Sequence, residues 1–329
     1  MRAGVFGALL AAVCVAPAGA IEVNDWPRLA GLRDKLVAEG VYRPEEFTAL
    51  LTDAQFDPRV TEALSRPAEK KLVWHQYRPI FVTPERAAEG AQFWRTHAAT
   101  LRRAQEIYGV PAPVVVAIIG VETRFGAHTG QYRVLDALAT IGLSDHPRKD
   151  FFFGELEAFL RLVREEALDP RTLTGSYAGA MGLPQFISSS YRAYAVDFDS
   201  DGRRDLVGDV EDAIGSVANY LAVHGWVAGT PTVLPARLDD GAAAPPEPPL
   251  TLDATLADLG AQGIRVTAEP APAADTPALL VRLDQPDAVE YRVGLANFYA
   301  ITRYNRSPLY AMAVHELAEA VEARVGSAP

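Results

Sequence analysis

Val114-Val115-Val116-Ala117-Ile118-Ile119-Gly120-Val121-Glu122-Thr123-Arg124-Phe125-Gly126 is the stretch on which the reading of this chain turns. An unbroken apolar run follows Pro113, a residue suited to the first turn of a helix because its missing N–H has no intrahelical partner there. The run predicts a strongly apolar helix that ends near Thr123. At its end stands a carboxyl group. Burial disfavours the charged form, so the pKa of Glu122 should rise until the group is protonated near neutral pH. A general acid for a glycosidic oxygen requires that state. By this pattern alone, a helix-terminal Glu paired with Arg124 is an equally admissible reading.

Helical spacing extends in both directions from this word. Upstream, Leu29, Leu32, Leu36 and Val37 fall on one face, with Gly40 as a C-cap. A short helix is expected over 46–51 behind Pro44. The segment PERAAEGAQFWRTHAATLRRAQEIYG (84–109) predicts one long amphipathic helix closed by Gly109. Downstream, helices are expected over about 133–141, 147–167, 188–196 and 211–224. Between 231 and 290 the composition turns to Pro, Ala, Asp and Gly (GAAAPPEPPL, AEPAPAADTP), with extended stretches at 278–283 and 290–293. This predicts a small β-containing insertion with loops. Helical pattern returns in GLANFYAITRYN and PLYAMAVHELAEAVEARV. The expected class is mainly α (α+β).

At 329 residues and 49% hydrophobic content, the chain can bury a full core. Residues 1–20 are expected to stand outside it. Arg2, the apolar run 5–15 and Ala16-Pro17-Ala18-Gly19-Ala20 have the layout of a secretory signal peptide with an A-x-A-type cleavage site. The expected location is the periplasm. Cys14, the chain's single cysteine, lies inside that segment. Read instead as a lipid-attachment site it would follow Val13, a poor residue for the position. Past residue 20 the chain offers neither disulfide nor thiolate. The net charge of -11, with no long basic run, argues against a nucleic-acid partner.

IIGVETRFG (118–126), RVLDALATIG (133–142), GSYAGAMGLPQF (175–186), AIGSVANYLAVHGW (213–226), ANFYAITRYN (296–305) and YAMAVHELAEAV (310–321) stand in this order. The ordered set resembles the lytic murein transglycosylase B family of the lysozyme-like superfamily, and the likeness runs from about Trp74 to Val321. The resemblance implies a lysozyme-like helical core over 101–230. Around it would lie an N-terminal helical region (21–100), the insertion (231–290) and C-terminal helices returning to the core (291–329). It implies a peptidoglycan lytic transglycosylase that cuts the β-1,4 bond between N-acetylmuramic acid and N-acetylglucosamine and leaves 1,6-anhydro ends. Glu122 would be the single acid and then base. The sequence is compatible with one carboxylate, since Asp136 and Asp145, the nearest other acids, suit caps or surface charges. A hydrolytic muramidase and a non-catalytic wall-binding scaffold are the alternatives.

By the same resemblance Ser176 and Gln185 should hydrogen-bond sugar or hold Glu122, in a glycine-rich loop suited to a groove wall. Tyr77, Tyr220, Tyr304, Tyr310 and Asn305 match sugar-binding positions, although core packing is an alternative for Tyr220 and Tyr304. A ring can cover a sugar face while its hydroxyl takes a hydrogen bond. Arg148 and Lys149, cations at a helix start, point to an anionic partner such as the peptide stem, with solvated surface charge as the alternative. The expected partner is the glycan strand, and wall-synthesis proteins are further candidates. The chain is expected to act as a monomer.

Asp197-Phe198-Asp199-Ser200-Asp201-Gly202-Arg203 reproduces the opening of an EF-hand loop: side-chain oxygens at positions 1, 3 and 5, glycine at 6 and a backbone carbonyl at 7. Position 12 is Gly208 instead of Glu. Asp212 or Glu211 would complete the site late, and Asp205 and Asp209 are further candidates. A structural calcium ion is the expected occupant, with a bare acidic turn as the alternative; no cofactor is expected for the chemistry.

Overall fold

Pro27, Pro44, Pro58 and Pro84 each open a helix, because a fixed φ favours the first turn and no donor is lost there. The computed structural model describes residues 21–65, 72–245, 249–270 and 272–326; the expected signal segment, 1–20, lies outside them. Among the described residues are fourteen α-helices. They are α1 (Pro27–Ala38), α2 (Pro44–Thr52), α3 (Pro58–Ser65), α4 (Trp74–Phe81), α5 (Pro84–Thr96), α6 (Ala98–Tyr108) and α7 (Ala112–Thr123). After these come α8 (Val134–Gly142), α9 (Lys149–Glu165), α10 (Ser188–Tyr194), α11 (Val210–Val223), α12 (Leu256–Ala261), α13 (Ala296–Tyr304) and α14 (Pro308–Gly326).

The expected long helix over 84–109 is two helices. His97 leaves helical geometry at φ -112° and ψ 27°, with its ring 4.6 Å from that of Phe93. The break lets α5 follow α7 and α14 while α6 turns to pack on α11. Gly109 closes α6 in the left-handed region, as its position suggested.

In α7, Glu122 alone is not fully buried. Each buried Val or Ile contributes about 1.5–3 kcal/mol, so the helix is a fixed post at the centre of the molecule. α11 and α14 pack on it from distant parts of the chain, and the preceding α5 and α6 pack on it as well. One apolar cluster runs from Ile21 to Val321 and includes most of α7.

The 231–290 region forms a five-stranded antiparallel sheet in the order β4-β6-β7-β3-β5. Its strands are β3 (Val233–Leu238), β4 (Ala254–Thr255), β5 (Ile264–Val266), β6 (Pro277–Asp284) and β7 (Val289–Gly294), the last two being the expected extended stretches. β3 went unforeseen because Pro235 interrupts it, and proline cannot donate to a ladder. Its carbonyl still accepts from the Thr267 N–H at 2.9 Å. A second apolar cluster, built on Leu234, Leu280 and Val293, gives this sheet its own core. Two further short strands, β1 (Tyr132–Arg133) and β2 (Thr174–Gly175), pair beside α8 and join the loops on which the site depends.

Candidate active site

α7 ends abruptly. Arg124 and Phe125 both adopt positive φ, 51° and 58°, a conformation L-residues with side chains rarely take. Two contacts hold the turn. Arg124 donates from Nε and Nη2 to the Glu89 carboxylate at 2.7 and 2.5 Å. Phe125 packs against Phe93 with ring centroids 5.5 Å apart, in a slot where Gly120 admits the ring: a Cβ there would sit 2.6 Å from it. The Glu122–Arg124 pairing admitted by the sequence does not form, since the guanidinium turns to Glu89.

Glu122 therefore projects from the helix end with no cation on it. It stands at a cavity of about 230 Å³ whose lining also includes Gln185, Ser190, Tyr220, Tyr304 and Asn305. It is the one acid in that lining among the described residues. Tyr310, fully buried near the start of α14, donates its hydroxyl to Glu122 Oε1 at 2.5 Å. Burial pushes the Glu122 carboxyl up to about 7, against the opposing pull of the Tyr310 hydrogen bond. The carboxylate in turn helps push Tyr77, Tyr304 and Tyr310 above the usual phenol range, with burial as the larger cause in each.

Next to Glu122, the Thr123 hydroxyl donates to Leu183 O at 3.0 Å and accepts from Gly126 N–H at 3.1 Å. It ties the helix end to the glycine-rich loop. Gln185, at φ 52°, donates from Nε2 to Gly182 O and Thr129 O at 2.9 and 3.0 Å. Its amide is thus fixed at the rim of the cavity. Ser176 is not part of the cavity lining; its Oγ accepts from Ala178 N–H at 3.3 Å and Ala180 N–H at 3.0 Å and so shapes the loop.

The tyrosines form a connected wall. Tyr304 donates to Pro184 O and Tyr220 to Arg303 O, each at 2.6 Å. Their rings meet edge to face at 4.8 Å, and Tyr304 lies nearly parallel to Tyr310 at 6.5 Å. Tyr220 and Tyr304 thus pack into the protein and face the cavity at once. Tyr77 lies on α4 against Phe81, close enough to Glu122 to sense its charge. Arg148 and Lys149 lie outside the cavity lining. Arg148 covers Phe151 at 4.6 Å and Lys149 pairs with Asp145 at 3.6 Å. Four lining residues were missed in the sequence, Phe186, Ile187, Ser190 and Arg303. Arg303 adjoins the Tyr304-Asn305 pair, which was the available signal.

In the acidic loop, carboxylate oxygens of Asp197, Asp199 and Asp201 come within 4.8 Å of one another. The loop is coiled to bring them there. Asp201 N–H donates to Asp197 Oδ1 at 3.1 Å and Gly202 N–H to Oδ2 at 2.9 Å, while Arg203 N–H donates to Asp201 Oδ1 at 2.8 Å. The Asp201 amide lowers the pKa of Asp199, but the little burial it has and the like charges of Asp201 and Asp209 outweigh this and raise it. Asp212, fully buried at the start of α11, accepts from Phe198 N–H at 2.5 Å and Asp205 N–H at 2.7 Å. Of the other late acids, Asp209 caps α11, Asp205 accepts from two turn amides, and Glu211 faces Arg103 at 3.4 Å. Three clustered oxygens with no ion pair to a basic side chain among the described residues, followed by a carbonyl-bearing turn, fit a hard cation such as calcium.

The transglycosylase SLT domain family matches residues 24–319. The chain belongs to that family. Membrane-bound lytic murein transglycosylase B of Escherichia coli is 44% identical over 261 residues, which cover 79% of this chain and 71% of that protein. Soluble lytic transglycosylase SltB1 of Pseudomonas aeruginosa superposes with a TM-score of 0.86 at 46% identity, covering 92% of this chain and all of that one. The E. coli lytic transglycosylase Slt35, solved in complex with calcium, has a TM-score of 0.85 at 38% identity, with 94% and 97% covered. SltB3 of P. aeruginosa, solved with NAG-anhNAM-pentapeptide, has a TM-score of 0.77 at 33% identity, with 89% and 78% covered. The fold is that of the lysozyme-like lytic transglycosylases, and this family member is an enzyme of the same kind.

Proposed function

We propose that this transglycosylase cuts the β-1,4 bond between N-acetylmuramic acid and N-acetylglucosamine of peptidoglycan, with Glu122 acting first as acid and then as base. The observation that carries the reading is a single carboxyl, protonated near neutral pH, in a cavity walled by hydrogen-bonded tyrosines.

Glu122 gives its proton to the glycosidic oxygen as the bond from muramic C1 breaks. The substrate's acetamido oxygen supports the positive charge at C1. The Glu122 carboxylate then takes the proton of the muramic 6-hydroxyl, whose oxygen closes on C1 to form the 1,6-anhydro ring. The carboxyl is regenerated and no water is consumed. Tyr310 holds the carboxyl in one orientation throughout. Hydrolysis by the usual pair of carboxylates finds no second acid in the cavity lining among the described residues. Turnover in heavy-oxygen water tests the distinction: no label is expected at the new muramic ends, and one labelled oxygen per cut would contradict ring closure.

Tyr220, Tyr304 and Asn305 are assigned to sugar binding at the cavity, and Gln185 to its rim. Tyr77 and Ser176 shape the same groove, while Arg148 and Lys149 serve a more distant anionic group such as the peptide stem. The glycan strand is the partner, and the periplasm, where that polymer lies, is the site of action. Residues 101–230 are read as the catalytic core, with α5 and α14 closing on it from the flanking regions.

The acidic loop is assigned a structural calcium ion, held by Asp197, Asp199 and Asp201 with the Arg203 carbonyl, while Asp212 braces the loop from α11. Its role is to neutralise carboxylates that otherwise repel one another. Chelation is expected to lower the melting temperature by several degrees and added calcium to restore it. An unchanged melt would remove the ion from the account.

A further inference from the structure

The polar side chains lining the Glu122 cavity fall into two groups. Gln185, Tyr220 and Tyr304 spend their donors on backbone carbonyls. Ser190, Arg303 and Asn305 also line it, and their side chains make no hydrogen bond or ion pair among the described residues. Arg303 is the one cation in that lining among the described residues. It stands exposed in the last turn of α13, with its guanidinium 6.0 Å from the Tyr299 ring. A cation suits a helix C-terminus. Its charge also reaches Tyr220, whose hydroxyl donates to the Arg303 carbonyl at 2.6 Å.

The charge at the cavity is opposite to that of the chain, which carries -11. Burial raises the carboxyl of Glu122, the single acid there, to about 7, whereas a guanidinium keeps its charge. The cavity therefore meets its ligand with net positive charge. A wholly neutral sugar answers Ser190 and Asn305 with its hydroxyls but leaves the guanidinium to water. An anionic group carried close to the sugar ring answers all three. N-acetylmuramic acid has one such group, the carboxyl of its lactyl ether, a few bonds from the ring. With a stem peptide attached, that carboxyl is a neutral amide. Freed of the stem it is a carboxylate, whose planar geometry matches the guanidinium fork.

We propose that Arg303 is a specificity-determining residue that binds the free lactyl carboxylate of stem-free N-acetylmuramic acid, so that the enzyme prefers denuded glycan. The proposal rests on the reading of peptidoglycan glycan as the substrate. It also places the enzyme in a reaction sequence. Stem-free strands are the product of amide hydrolysis: water cleaves the bond between the lactyl carbonyl and the first amine of the stem. A carboxylate stays on the sugar, and an ammonium leaves with the peptide. This enzyme then consumes the sugar product of that reaction. The stems assigned to Arg148 and Lys149 are those of other residues on the strand.

Calorimetry at low salt tests this on the Glu122→Gln protein, which binds glycan without turnover. The ligands are a stem-free tetrasaccharide of alternating N-acetylglucosamine and N-acetylmuramic acid, its lactyl methylamide, and the same sugar carrying stem peptides. The free acid should bind about tenfold tighter than the methylamide. Adding Arg303→Gln should weaken the acid by about tenfold and leave the methylamide unchanged, which also shows that the variant is folded. High salt should shrink the preference. Equal binding of acid and methylamide would overturn the proposal, as would a preference that survives Arg303→Gln. It would also be overturned if the stem-bearing sugar matched the free acid and lost as much with Arg303→Gln, since the carboxylate would then belong to the stem. Absence of binding by every ligand would contradict the glycan reading as well. Equal binding by all of them leaves that reading standing and removes only the preference.

Discussion

Replacing Glu122 by Gln should reduce the release of muropeptides from sacculi by at least about a thousandfold while leaving the protein folded. Positioned acid–base catalysis contributes about 10²–10⁴-fold, and here one group performs both proton transfers. Gln keeps the shape and still accepts the hydrogen bond from Tyr310, so the loss isolates the proton. The pH dependence has a defined sign. The working form at the start is the neutral acid, and burial pushes its pKa up to about 7. Activity of the wild type at low substrate should therefore fall as pH rises through about 7. Stability follows the same linkage. A carboxyl whose pKa is raised in the folded state carries no penalty below the ordinary range near 4.5, and a penalty that grows as pH climbs toward 7 and is complete above it. Glu122→Gln should thus melt higher than wild type at pH 8 and equally at pH 4. A variant that digests sacculi at the wild-type rate would remove Glu122 from the mechanism.

The second large effect is expected far from any proton. Gly130 adopts φ +102°, and a Cβ there would lie 2.0 Å from the backbone carbonyl of Gly175 and 2.5 Å from Ser176 N. These are backbone atoms of the loop that presents Gln185, and the adjacent β1–β2 pair fixes their register. Neither strand can yield without dragging the loop, so Gly130→Ala combines a forbidden contact with an unfavourable φ. A loss of about 3 kcal/mol or more in denaturant unfolding is expected, with activity falling even where the protein is folded. Gly154→Ala is the control: Gly154 lies within α9 with open space around it, and alanine should stabilise that helix by about 0.5–1 kcal/mol. Equal stability of the two variants would contradict the backbone contact.

Most of the helical framework was legible because local rules determined it. Pro27 and Gly40 mark the ends of α1, Pro44 opens α2 and Pro113 lies in the first turn of α7, while apolar spacing marks the buried face of α1. The break at His97 was not legible, since nothing local stops the 84–109 pattern; packing of α5 on α14 and of α6 on α11 separates them. The sheet was half visible. β6 is a largely apolar run and β7 alternates charged with apolar residues, whereas β3 carries a proline, and α12 is announced only by the Thr255–Asp258 capping box. At the site, the carboxyl at the end of an apolar helix could be read directly. Its surroundings could not, because they join residues remote in the chain: Glu89 draws Arg124 away, and Tyr310 reaches Glu122 across 188 positions. In the acidic loop the three aspartates were recognisable from spacing. The grip of Asp212 on the amides of Phe198 and Asp205 was not, since a buried carboxylate can bind either a cation or the backbone.

The central claim is that one carboxyl cuts the glycan by closing the sugar's own hydroxyl on C1. Mass analysis of the muropeptides released from purified sacculi tests it most directly. Muramic ends lighter by one water than hydrolysed ends, produced by the wild type and missing with Glu122→Gln, are the predicted result. Reducing muramic ends as the only product would contradict it.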